Sequence, residues 1–185
     1  MTLIALCVAV NIAGSKIALF MSLPIFLDSI GTIMSGMLLG PWAGMLTALV
    51  GGLVNGALGD IYSIYFAPSG MIMGLIAGFV LHGKKNTYIN MIWKTVIIVI
   101  PASAVSALIE VVVFGGVTSA MVTTALIQIM SKTVMSMFGS AFVVQLVTDY
   151  IDKLIAVALV TTVYKRLPSN MRNMIVDADV KVKKK

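Results

Sequence analysis

The stretch from Tyr88 to Phe114 reads YINMIWKTVIIVIPASAVSALIEVVVF, and its reading decides the class of fold. From Ile97 to Ile109 only Pro, Ala and Ser interrupt the large apolar residues. Glu110 follows, and the run stops at Gly115-Gly116. A helix needs about 20 mostly apolar residues to cross hydrocarbon, and this run has them. The rest of the chain has the same character. Of its 185 residues, 59% are hydrophobic and 11% charged, against about 25% charged in a soluble domain. Mean hydropathy is +1.06. Such a composition excludes an ordinary soluble enzyme and excludes disorder, which needs low hydrophobicity. The expectation is an all-α integral membrane protein, and the length allows about six spans with short connections.

Breaks at Gly, Pro and charge divide the chain. Predicted helices cover Thr2 to Gly14, Phe26 to Leu39, Trp42 to Leu58, Ser69 to Leu81 and Tyr88 to Phe114. Lys16 to Pro24 reads as a connection, and Ile61 to Pro68 as an aromatic loop. Thr118 to Tyr164 admits two readings. Either Thr133 to Thr148 is a span, or Ser119 to Phe138 is a helical excursion on the membrane surface before a last helix from Ala141 to Tyr164. The basic clusters favour the second. Lys84 and Lys85 should share the cytoplasmic side with the tail Lys165, Arg166, Arg172, Lys181 and Lys183 to Lys185. The expected architecture is therefore a compact bundle of six transmembrane helices over residues 1–165, both termini cytoplasmic, with a basic tail over 166–185. The N-terminus has no basic region and no small-residue cleavage site, so it reads as a retained first helix. The formal charge of +6 gathers at loops, unlike a nucleic-acid footprint.

Under this topology Asp28, Asp60, Glu110, Asp149 and Asp152 fall in the outer half. Ionisable groups at membrane depth are expensive and usually face a bundle interior or a wet cavity. Asp149, Asp152 and Lys153 are spaced i, i+3, i+4 and share one helix face. They read as a site or as an internal ion pair of Lys153 with Asp149; Asp60 reads as a site or as a surface acid. Tyr62, Tyr65 and Phe66 precede the fourth helix and Tyr150 adjoins Asp149, a cavity wall or an interfacial belt. Trp42 and Trp93 read as belt residues on the cytoplasmic side. With Asn55 and Ser69, these groups would suit a small, flat ligand that is neutral or cationic and rich in hydrogen-bond donors.

Small residues recur every four positions: Gly36, Gly40 and Gly44; Gly52 and Gly56; Gly70, Gly74 and Gly78; Ala5, Ala9 and Ala13. Each series lies on one face and lets backbones approach, either within the bundle or, for the alanines, against a partner's helices. Cys7 is the one cysteine and reads as a small apolar residue. No phosphate-binding glycine loop with Lys and Ser or Thr is present, so the chain itself hydrolyses no nucleotide. His82, the single histidine, lies at a predicted cytoplasmic loop; no metal site and no enzymatic activity are expected. A small bundle with a binding cavity and no energy module points to a subunit of something larger.

The run Leu23-Pro24-Ile25-Phe26-Leu27-Asp28-Ser29-Ile30-Gly31-Thr32, then Gly40-Pro41-Trp42-Ala43-Gly44 and the Gly-rich helix ending Asn55-Gly56, resembles the substrate-binding S components of energy-coupling factor (ECF) vitamin transporters. So do the six short helices, the size and the alanine series, over about residue 2 to 165. The resemblance implies high-affinity binding of a vitamin or precursor at the outer side of a prokaryotic plasma membrane. It implies a lid formed by the connection after the first helix and the loop after the third. It implies docking of Ala5, Ala9 and Ala13 on a transmembrane coupling subunit driven by two cytoplasmic ATPases, with toppling of the S component carrying the site inward. ATP is used by those partners, and this chain carries no cofactor.

Five outer acids suit a heteroaromatic ring with a basic nitrogen and hydroxymethyl groups, so hydroxymethylpyrimidine or a pyridoxine-type vitamer is the expected substrate. Pantothenate, which carries a carboxylate, is the rival within the family, with only Lys16, Lys132 and Lys153 to receive it. The expected site comprises Asp28, Ser29, Asn55, Tyr62, Tyr65, Ser69, Glu110, Asp149, Tyr150 and Lys153. Asp149 or Glu110 would accept from the ring amine or nitrogen, Lys153 would hold a ring hydroxyl or pair with Asp152, and a tyrosine would stack. A stand-alone secondary transporter or channel would need internal repeats and a midplane site. A purely structural membrane subunit would bind no small molecule.

Overall fold

The computed structural model describes residues 1–21, 26–84, 87–117, 121–133 and 136–168. Among these the chain is all helix: α1 (Thr2–Phe20), α2 (Ile30–Leu39), α3 (Pro41–Ala57), α4 (Ile61–Leu81), α5 (Tyr88–Phe114), α6 (Met121–Thr133) and α7 (Met137–Arg166). Three are long and apolar enough to cross a membrane: Thr2–Phe20, Ile61–Leu81 and Ile89–Phe114. Large apolar side chains stay exposed, Trp93 at 73% and Val112 at 74% among them. That surface suits lipid better than water.

Several expected boundaries move. Helix α1 continues through the expected connection to Phe20, because Ser15 and Ala18 still face the interior while Lys16 and Ile17 point out. Residues 22–25, the start of the quoted Leu-Pro run, lie outside the described residues. The second helix begins at Ile30, four residues later than expected. Phe26–Ser29 instead form a strap in which Leu27 adopts a left-handed φ of 51°. The expected aromatic loop 61–68 is the first part of α4, which runs through Pro68. A proline in a helix forfeits one backbone hydrogen bond, and here packing on α3 outweighs that loss. Gly52 lies against Ser63 and Ala67, and Gly56 against the Ile64 side chain.

Thr133 to Thr148 is not one span. Helix α6 ends at Thr133 and α7 opens at Met137, where Ser136 Oγ accepts from the Gly139 N–H at 3.3 Å. The expected excursion is represented by α6, and the last helix starts four residues before Ala141. The tail beyond Pro168 lies outside the described residues.

Helix α2 is central and touches α1, α3, α4 and α7; the most extensive pairing is α3 with α4. The glycine series make that pairing possible. Gly44 and Gly74 meet so closely that a Cβ on either would strike the other's carbonyl oxygen. The main core joins α2, α4, α5 and α7 through Ile33, Met37, Met73, Leu81, Ile98 and Val157. A smaller cluster joins α5, α6 and α7 through Ala107, Ile127, Ala141 and Val144. The main core fills the end of the bundle that holds the α4–α5 turn. The other end, where α1, α3 and α5 finish and α2, α4 and α7 begin, leaves room for a cavity that reaches to Asn11, Ala48, Met73 and Ala102 at the middle of their helices.

Candidate functional site

Helix α7 carries Asp149, Asp152 and Lys153 on its buried face, as their spacing requires. Lys153 Nζ lies 2.6 Å from Asp152 Oδ2, 3.7 Å from Asp149 Oδ1 and 3.6 Å from Asp28 Oδ1 of the strap. The expected pairing with Asp149 and the alternative pairing with Asp152 both occur. Asp152 Oδ1 also accepts the Leu27 N–H at 3.0 Å, and Asp149 Oδ2 accepts from Ser103 Oγ at 2.7 Å. Leu27 sits in a backbone region that costs a branched side chain about 1–3 kcal/mol. Two contacts hold it there: the bond to Asp152, and the approach of its carbonyl to Gly14, where a Cβ would collide. One ammonium faces three carboxylates, all but Asp28 buried. A buried cluster of that kind is short of positive charge or of protons, and its attraction for either is strong at low dielectric.

The cluster forms one wall of a cavity of about 340 Å³. This matches the lower range of small-molecule sites, about 300–1,000 Å³. Of the expected site residues, Asp28, Asn55, Tyr62, Ser69, Asp149 and Lys153 line it together. Ser29, Tyr65, Glu110 and Tyr150 do not. Ser29 is buried at the N-terminus of α2 with no partner for its hydroxyl. Glu110 is fully buried, and neither carboxylate oxygen has a partner. The cavity reaches Ser106 on α5 and stops one helical turn short of Glu110. Tyr65 is 47% exposed and packs edge-on against Phe114 at 5.3 Å between centroids. Phe114 also holds Tyr62 at 4.7 Å and Phe66 at 5.9 Å. Tyr62 and Phe66 are therefore aromatic rings of the wall that Phe114 holds in place, and Phe26 of the strap also lines it.

Further polar groups join the wall that the spacing of residues did not single out. Asn11 Oδ1 accepts the Gly31 N–H at 2.7 Å, and Asn11 Nδ2 donates to Thr32 Oγ1 at 2.8 Å, tying α1 to α2. An asparagine inside an apolar helix was the available signal. Ser69 Oγ donates to the Ala102 carbonyl at 2.8 Å and lies 2.6 Å from Ser106 Oγ. Gln145, one turn before Asp149, lines the cavity with its Oε1 unpartnered. Asp60 and Ser63 line it from the α3–α4 turn. Ala5, Ala9 and Ala13 lie elsewhere, exposed along one face of α1. Among the described residues no group of His, Cys, Asp and Glu has a metal-binding arrangement. No protein-family model, curated protein or solved structure matches the chain.

Proposed function

We propose that this chain is the membrane-embedded S component of an ECF-type transporter, binding a water-soluble vitamin or precursor with donor-rich, cationic or neutral chemistry. Hydroxymethylpyrimidine and pyridoxine-type vitamers are the best match. One observation carries the reading: a charge cluster with, among the described residues, one ammonium for three carboxylates, set beside fixed aromatic rings in a cavity of an apolar bundle. A ring stacked on Tyr62 or Phe66 would present its amine or protonated nitrogen to Asp149 and Asp28. Pantothenate fits less well, because Lys153, the one cation in the wall among the described residues, is already held at 2.6 Å by Asp152. A stand-alone transporter would need internal repeats, and the sequence shows no clear inverted repeat.

In this reading α1, α2, α3, α4, α5 and α7 cross the plasma membrane of a prokaryote. Helix α2, only ten residues long, crosses with the strap that precedes it. Both chain ends and Lys84 face the cytoplasm, and the cavity faces outward. The exposed Ala5, Ala9 and Ala13 stripe docks on the coupling subunit, whose two ATPase partners consume ATP. The test is titration of the purified chain with pyridoxine, hydroxymethylpyrimidine and pantothenate. One-to-one binding of a pyridine or pyrimidine is expected. Binding of pantothenate alone would overturn the reading of the carboxylates, and binding of none would overturn the function.

A further inference from the structure

The cavity has a second polar pole, built by the turn between α3 and α4, neither of which packs extensively on the α7 that carries Lys153. Gly59, at φ 103°, lets the chain reverse, and the Asp60 N–H returns to the Asn55 carbonyl at 3.2 Å. Asp60 then stands at the N-cap of α4. An N-cap aspartate usually accepts a backbone N–H of the first turn with its side chain, and this one does not. Its Oδ2 instead accepts Asn55 Nδ2 at 3.2 Å and Ser63 Oγ at 2.6 Å. Asn55 Nδ2 also donates to Ser63 Oγ at 2.7 Å.

Counting protons in this triangle gives its chemistry. The hydroxyl hydrogen of Ser63 is spent on Asp60 Oδ2, and Asn55 Nδ2 donates into the same pair of oxygens. Two acceptors are left open: Asp60 Oδ1, which receives no donor among the described residues while Oδ2 takes both, and Asn55 Oδ1, buried and unpartnered. Asn55 is 5% exposed, and all three residues line the same cavity as the Lys153 cluster.

We infer that Asp60, held by Asn55 and Ser63, is a specificity-determining contact that accepts a hydroxyl or amine donor from the end of the ligand away from Lys153. This rests on the proposed reading of the cavity as a vitamin site and narrows its substrate class. The ligand carries a donor at each end. A carboxylate at the Asp60 end faces the Asp60 carboxylate and the open Asn55 carbonyl and is rejected, because like charges repel and a buried acceptor facing an acceptor is left unpaired.

The experiment uses matched probes on the full chain. Pyridoxine is paired with 4-deoxypyridoxine and with 4-pyridoxate, and hydroxymethylpyrimidine with its 5-methyl analogue. Wild type should bind the hydroxymethyl member of one pair about 10-fold more tightly than the methyl member, and 4-pyridoxate more weakly still. Asp60→Asn should shrink the hydroxymethyl preference to within about twofold, while Asp149→Asn should weaken both members equally and keep the preference. The double variant Asp60→Ala with Ser63→Ala removes the carboxylate together with one of its donors, and it serves should the single variant not fold. An unchanged preference in the Asp60 variants, or equal weakening of both members, overturns the inference while the vitamin site stands. Failure of wild type to bind any probe overturns both.

Discussion

Asp149 and Glu110 are two buried carboxyl groups on helices that pack against each other. Their surroundings differ completely. Asp149 accepts from Ser103, faces Lys153 and lines the cavity. Glu110 has no partner for either oxygen and lies one turn beyond the cavity's end, next to the apolar cluster of Ala107, Ile127, Ala141 and Val144. In sequence Glu110 is the more conspicuous of the two, because it interrupts the most apolar run of the chain. A charge in an apolar segment signals that something expensive has been retained; it does not say whether a ligand or the fold's interior receives it.

The sharpest way to break the contrast is Lys153→Met. Removing the shared cation leaves three carboxylates crowded together, and loss of one partner of a buried pair costs about 3–5 kcal/mol. Thermal unfolding in detergent should drop steeply, and a variant as stable as wild type would mean the cluster is not charged as described. Next in size is Asp149→Asn. It should weaken binding of the pyridine or pyrimidine probe by about 10- to 100-fold, a loss of roughly 1.5–3 kcal/mol for a hydrogen bond to a charged group, read by calorimetry. Glu110→Gln should have a small effect: affinity within about twofold, and stability unchanged within about 1 kcal/mol, since one unpartnered buried polar group replaces another. Were it to cost as much affinity as Asp149→Asn, Glu110 would have to enter the cavity in the bound state and the contrast would collapse. Smallest in its effect on the site is Ala9→Trp. Its position on the exposed face of α1 leaves ligand affinity unchanged, whereas copurification with a coupling subunit should be lost.

The positions of the helices were largely legible in the residues. Tyr88–Phe114 runs as its composition predicts, and the glycines spaced by four do mark the closest backbone approach, at Gly44 and Gly74. The aromatic segment before Ser69 was not legible as helix. Tyr62, Tyr65 and Phe66 together with Pro68 read as loop until α3 and Phe114 are there to pack against. The gathering of Asp149, Asp152 and Lys153 on one face followed from spacing. The arrival of Asp28 beside them did not, since it depends on a strap anchored through Leu27 to a residue on another helix. Asp60 was open to a reading as a surface acid, because nothing in its local sequence reveals that a turn folds it toward a shared cavity.

Composition and run length alone establish the apolar, all-helical class and most helix positions. The cost of charge in hydrocarbon and the length of an apolar run are local quantities, written residue by residue. Tertiary structure decided which polar groups meet. That choice depends on the rotation and register of helices about one another, and those are set by contacts distant in sequence: Gly44 on Gly74, Asn11 on Gly31, Leu27 on Asp152.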